Sequence, residues 1–261
     1  MKIMLVRDRN VLNNNWLAYF ANLLHERGHE VVIACDTYGK LGVSAPGHEL
    51  EPGVRLANVN GKTSSPLQNF WRRIRCKALP SWHLFDRLIK AEKPDVIICY
   101  FPVDLYNVTR FQHHNIPIVQ MVHGYPPMIL NKVLHKNPLS RAFCRQSFAR
   151  INTWQVLMNS YKKEIDPFFA PQNVVRIANP VKQYAENEMA DLSAEKKRII
   201  YVARIEKKTK RPHLLVEAFA KIAAEFPDWK VEIWGMRKYP EYEKEINDFI
   251  RAHNLTGQVA L

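Results

Sequence analysis

Short apolar runs alternate along this chain with longer stretches whose apolar residues return every three or four positions. Lys2–Val6 is the first run and predicts a buried strand. Trp16, Leu17, Phe20, Leu23 and Leu24 follow at helical spacing up to Arg27-Gly28, where glycine can end a helix in a left-handed turn. Val31–Ala34 is a second buried run, so the chain opens on a β-α-β unit whose two strands must be parallel.

Further strands are predicted at Val54–Val59, Asp95–Tyr100, Ile118–Val122, Gln155–Met158 and Val174–Ile177. Helices are predicted over Pro66–Lys93, interrupted at Pro80, over Asp104–Asn115 and over Leu139–Arg150, while His123–Pro127 reads as a loop. A more polar segment, Ala178–Ala194, contains Asn179-Pro180 and several acids and reads as a linker. Beyond it, strands at Arg198–Val202, Lys230–Trp234 and Gln258–Leu261 alternate with helices at Arg211–Phe226 and Tyr239–Asn254. Such alternation predicts an α/β fold with an open, doubly wound sheet, whose ligands bind beyond the carboxyl ends of the strands. Residues 1–182 are expected to form an N-terminal Rossmann-like domain. Residues 183–261 supply too few elements to cover both faces of a sheet, so an incomplete C-terminal Rossmann-like domain is expected there.

Charge sharpens this division. Residues 1–182 carry 24 Lys and Arg against 12 Asp and Glu, whereas residues 183–261 carry 14 against 13, so nearly all of the net +13 lies in the first part. Such an excess attracts nucleic acid, an anionic membrane or phosphorylated substrates without choosing among them. No window approaches the roughly 18–20 apolar residues of a membrane-spanning helix, and the opening apolar run is too short for a signal peptide. Cys35, Cys76, Cys99 and Cys144 show no paired CxxC spacing. A cytoplasmic protein is expected.

The stretch from Tyr201 to Phe219 holds the most specific chemistry. A buried strand ends in a basic loop, Arg204-Ile205-Glu206-Lys207-Lys208-Thr209-Lys210-Arg211, which enters a helix that can hold Pro212 in its first turn. Cations before a helix N-terminus suit an anion such as diphosphate, with Arg supplying a planar fork of donors and Lys a mobile point charge. The competing reading is a solvated charge run. His123 follows a strand and lies in a Gly- and Pro-containing loop, where open α/β sheets place functional side chains; the alternative there is a structural loop histidine. The triple Asn13-Asn14-Asn15 suits tight turns, with Asn15 able to cap the following helix. Trp71-Arg72-Arg73-Ile74-Arg75-Cys76-Lys77, near Phe70 and Trp82, mixes aromatics with cations as interfacial helices do, and a basic region over Lys132–Arg150 adds Lys136, Arg141 and Arg145.

The stretch from Tyr201 to Phe219, with Leu214-Leu215-Val216-Glu217-Ala218-Phe219 at its end, resembles the signature of family 4 glycosyltransferases of the GT-B fold. Val174–Val181 resembles the family's interdomain segment, and Pro227–Gly235 its next strand with a closing glycine. Ala203 stands where the family usually has Gly. The resemblance implies that Arg204 and Lys210 hold the diphosphate of a nucleotide-sugar donor, with Lys208 as the alternative to Lys210, and that His123 lies near the donor sugar and phosphate as a catalytic residue. It further implies an acceptor-side domain over 1–182 and a nucleotide-sugar donor domain over 183–261, with a carboxylate-bearing segment of the family falling beyond the last residue, so that the chain is expected to be C-terminally truncated.

The function implied is transfer of a hexose from a nucleotide diphosphate to a surface-polysaccharide or glycolipid precursor, with retention. The expected partners are that donor, a glycan or lipid-linked acceptor, and an anionic membrane surface for the basic N-terminal domain, which would place the protein peripherally on the inner membrane surface. No cofactor or metal is called for. A truncated, non-catalytic glycosyltransferase-like binding protein is the alternative. A nucleic-acid binder lacks a recognisable motif, and a dinucleotide-dependent dehydrogenase lacks G-x-G-x-x-G after the first strand.

Overall fold

The computed structural model describes residues 1–7, 15–36, 49–60, 65–78, 82–110, 115–134, 138–165, 173–181, 183–189 and 196–261. The turn expected at Asn13-Asn14, the interruption at Pro80, Lys136 and part of the expected linker lie outside these residues. The chain divides into two compact units, Met1–Lys182 and Gln183–Leu261.

The first unit is a seven-stranded sheet. In chain order its elements are β1 (Lys2–Val6), α1 (Asn15–Glu26), β2 (Glu30–Cys35), β3 (Arg55–Asn58), α2 (Pro66–Ala78), α3 (Trp82–Glu92), β4 (Val96–Cys99), α4 (Pro102–Thr109), β5 (Ile118–Val122), α5 (Pro126–Leu134), α6 (Pro138–Phe148), β6 (Thr153–Val156), α7 (Ser160–Ile165) and β7 (Val174–Arg176). The strands lie in the order β3-β2-β1-β4-β5-β6-β7, all parallel, so the winding reverses between β1 and β4. Alternate residues of β1 serve the two faces. Ile3 and Leu5 pack with Leu17 and Ala21 of α1, whereas Met4 and Val6 pack with Phe85 and Ile89 of α3 and Leu105 of α4. Both faces are therefore covered, which is why these strands read as continuous apolar runs. Gly28, at φ 81, closes α1 in the left-handed turn expected of it.

Two first-unit helices were not legible as such. Pro126 and Pro127, read as loop residues, occupy the first positions of α5, where a missing N–H costs nothing, and Met128 and Ile129 donate to the Tyr125 carbonyl at 3.1 and 3.3 Å. The short α7 carries too few periodic positions to stand out. The strand expected at Gln155–Met158 is shifted to Thr153–Val156, where Trp154, Gln155 and Val156 are buried and Met158 is exposed.

The second unit is a three-stranded parallel sheet in the order β10-β9-β8, from β8 (Arg198–Val202), α8 (Pro212–Ala220), β9 (Lys230–Trp234), α9 (Pro240–Ala252) and β10 (Val259–Ala260). Val231 and Ile233 of β9 pack with Val216 and Phe219 of α8 and Ile246 and Ile250 of α9. The helix expected to reach Phe226 stops at Ala220, because Lys221 and Ile222 donate three residues back, to Ala218 and Phe219, and the last turns tighten. Among the described residues no helix is long and apolar enough to cross a membrane.

Candidate functional site

Three neighbouring strands of the first unit end in side chains that meet. Arg7 follows β1, Tyr100 follows β4 and His123 follows β5, at the reversal of the strand order, where open α/β sheets place their ligands. The His123 ring stacks on Tyr100, centroids 4.5 Å apart at 18°, and Trp16 from the first turn of α1 meets it edge-on at 4.4 Å. The Arg7 guanidinium lies over the rings of Tyr100 and Phe101, at 5.0 and 4.3 Å. Asp104 is fully buried and accepts the Phe101 backbone N–H at 2.6 Å, so its work is to cap α4 and hold Phe101 in place. Tyr125 turns away toward Glu164, to which its hydroxyl donates at 3.3 Å, and that carboxylate raises the phenol's pKa.

Burial among these rings has an electrostatic consequence. Desolvation pushes the His123 pKa down to about 4, so the imidazole is neutral at pH 7. A neutral imidazole donates from one nitrogen and accepts at the other. It can hydrogen-bond a hydroxyl or relay a proton, but it brings no charge to a phosphate.

In the second unit the loop between β8 and α8 is built around a buried acid. Glu206 accepts from the Thr209 hydroxyl, pairs with Arg204 at 3.2 Å, and its backbone carbonyl takes the Arg211 N–H at 2.9 Å. Arg211 adopts a left-handed conformation, φ 51, immediately before Pro212 opens the helix. Arg204 is held to Glu206 through one nitrogen while its side chain stays 58% exposed. Lys210 is exposed, its backbone carbonyl tied to the Tyr201 hydroxyl, and among the described residues its amine has no carboxylate partner. Lys208 instead lines an open groove of about 410 Å³ with Lys207, Glu206, Glu241 and Glu245. Gly235 makes the loop's start possible, since a Cβ there would collide with the Ala203 carbonyl, and Ala203 and Ile205 donate to Trp234 and Met236 at 2.9 and 3.1 Å.

His123 thus belongs to the first unit, and Arg204 and Lys210 to the second. Arg7, Trp16 and Tyr100 were not singled out for a site role from the sequence. The signal that finds Arg7 and Tyr100 is positional, because each, like His123, is the first residue after an apolar strand. Among the described residues no group of three or more His, Cys, Asp or Glu side chains is placed to hold a metal ion.

The model of Glycosyltransferase Family 4 matches residues 14–182, and that of Glycosyl transferases group 1 matches residues 185–261. No curated protein matches the chain. Among solved structures, Staphylococcus aureus TarM, as a variant in complex with fondaparinux, alpha-GlcNAc-glycerol and UDP, is similar with a TM-score of 0.66 at 13% identity over 100% of this chain and 76% of that one. Sucrose-phosphate synthase from Thermosynechococcus elongatus is similar with a TM-score of 0.65 at 11% identity, over 100% and 69%. Anabaena HepE, in complex with UDP and glucose, is similar with a TM-score of 0.60 at 14% identity, over 100% and 68%. At these identities the likeness shows the fold, which is GT-B.

Proposed function

This chain belongs to glycosyltransferase family 4, and from that premise we propose that it moves a hexose, with retention, from a nucleoside diphosphate to a hydroxyl of a surface-polysaccharide or glycolipid precursor. Residues 1–182 take the acceptor and residues 183–261 the donor. Arg204 and Lys210 neutralise the diphosphate as it departs, and His123 acts beside the reacting sugar. The observation that carries this reading is the loop folded on Glu206, which presents Arg204 and Lys210 to solvent at the entrance to α8. Departure of the sugar leaves charge on the diphosphate, so preorganised cations stabilise the transition state more than the bound donor. Because the neutral His123 supplies no charge, that work falls to the second unit, and the imidazole is left to position or relay through hydrogen bonds. The UDP bound in TarM and HepE is consistent with a uridine donor.

Calorimetric titration of the 261-residue chain with UDP, GDP and ADP at moderate salt tests this. One nucleotide binds selectively, and Arg204→Ala weakens it by roughly 1.5–3 kcal/mol through loss of a charge-assisted hydrogen bond. An unchanged dissociation constant in that variant refutes the donor assignment.

The acceptor side is proposed to work on an anionic membrane surface. Leu67, Phe70, Trp71 and Ile74 recur at i, i+3, i+4 and i+7 of α2, and each is at least 42% exposed. The helix also carries Arg72, Arg73, Arg75 and Lys77 and no acid. Exposed aromatic and aliphatic residues on a basic helix fit the headgroup boundary of anionic lipid, where each cation adds roughly 1 kcal/mol. Sedimentation with phosphatidylglycerol vesicles is expected to carry the protein down, and Trp71→Ala to lower the bound fraction. Equal recovery with purely zwitterionic vesicles would remove the electrostatic part of this reading.

A further inference from the structure

The loop that leads into α8 ends on a left-handed step. Arg211, at φ 51, carries a Cβ that disfavours this conformation, which persists only where the surroundings hold it. Arg211 also brings no capping side chain to the helix. Its N–H and Nε instead turn back into the loop, to the carbonyls of Glu206 and Lys208 at 2.9 and 3.2 Å. The residues on either side of this step are held from outside the loop by two tyrosines. Tyr242 of α9 is 6% exposed; its hydroxyl accepts the His213 backbone N–H at 3.3 Å and meets Nδ1 of the same residue. Tyr201 of β8 donates its hydroxyl to the Lys210 carbonyl. Its neighbours Ile200 and Val202 stand on the open face of the sheet, whereas Tyr201 packs against the core shared with α8 and α9. The hydroxyl therefore draws the Lys210 carbonyl toward the covered face.

We infer that Tyr201 is a positioning residue that acts through Lys210: by fixing the carbonyl of Lys210 it fixes the point from which the lysine side chain reaches a diphosphate. This rests on the donor role proposed above for Lys210. A lysine is a point charge on a flexible stem, so its ammonium is only as well placed as the backbone that carries it. Without the hydroxyl, the Lys210 carbonyl is free to turn out to water or toward a bound anion, where its partial negative charge opposes binding. With the hydroxyl in place, less ordering remains to be done when the anion arrives. Arg204 is anchored separately, through Glu206, so the two cations depend on different supports.

Calorimetric titration of the full chain with UDP, GDP and ADP at moderate salt picks out the tightest-binding nucleotide, against which Tyr201→Phe, Lys210→Met and the double variant are then compared. Tyr201→Phe keeps the packed ring and removes only the hydroxyl. Lys210→Met weakens binding about tenfold, the loss expected of a charge-assisted hydrogen bond. Tyr201→Phe weakens it about three- to tenfold. The double variant binds within about twofold of Lys210→Met, because the hydroxyl then has no ammonium left to place. Binding by Tyr201→Phe equal to that of the unsubstituted chain, while Lys210→Met weakens it, overturns the positioning role and leaves the donor assignment standing. Losses that multiply in the double variant overturn it as well, since the tyrosine then steadies the loop without acting through Lys210. Unchanged binding in Lys210→Met refutes the donor assignment of that residue, and the positioning role falls with it. Absence of saturable binding of all three nucleotides refutes both together.

Discussion

The two parallel sheets are wound alike and solvated differently. In the seven-stranded sheet, β1 and β2 bury consecutive residues, with Leu5 1% exposed and Val31 to Cys35 fully enclosed. In the three-stranded sheet, β8 and β9 bury one face against α8 and α9, while Ile200, Val202 and Trp234 stand open, Val202 at 75%. Each sheet carries a candidate site of matching character. The covered sheet holds a neutral histidine among rings, and the half-covered one holds solvated cations on a loop. Burial tunes protonation and geometry in the first unit, whereas exposure preserves charge in the second.

Substitutions in the two units test that contrast. The largest effect is expected at Leu5, whose truncation to Ala opens a hole against Leu17, Ala21 and Ile33 and should cost about 2–5 kcal/mol in urea unfolding. Next comes His123. Its folded pKa of about 4 lies below the ordinary 6.5, so the unfolded chain binds the extra proton first as pH falls. The stability contributed is complete above pH 6.5 and lost on descending to about pH 4, by up to ~3 kcal/mol. Unfolding of His123→Phe between pH 7.5 and 4.5 should therefore be flatter than that of the unsubstituted protein. Equal slopes would show an imidazole that is not held neutral. The smallest effect belongs to Val202→Thr, expected within about 0.5 kcal/mol because the side chain is already in water. A cost approaching that of Leu5→Ala would mean that this face is covered in solution.

Much of the first unit was legible because its strands are apolar end to end and its helices keep a clear period. Lys2–Val6, Ile118–Val122, Arg198–Val202 and Lys230–Trp234 were read to the residue. What failed had local physical causes. Pro126-Pro127 announced a helix in the same letters that announce a loop, and the end of α8 was settled by which carbonyls the last N–H groups reached. The site was only partly legible. His123 and the Arg204–Arg211 loop stood out through motif and position, whereas Trp16 looked like one more apolar residue of a helix and Arg7 like the start of a polar turn.

The α/β alternation, the family signature, the concentration of positive charge before residue 183 and the helical stripe of α2 are written in the amino-acid order, since each is a matter of spacing along the chain. Which strand ends adjoin is a matter of the folded sheet. Sequence distance between Arg7, Tyr100 and His123 says nothing of their contact, because β4 and β5 reach β1 through crossovers whose order is a property of the sheet. The same holds for solvation. The runs Val31–Ala34 and Ile199–Val202 look equally apolar, yet one is enclosed and the other half exposed, because burial depends on how many helical layers cover a strand and not on the strand itself.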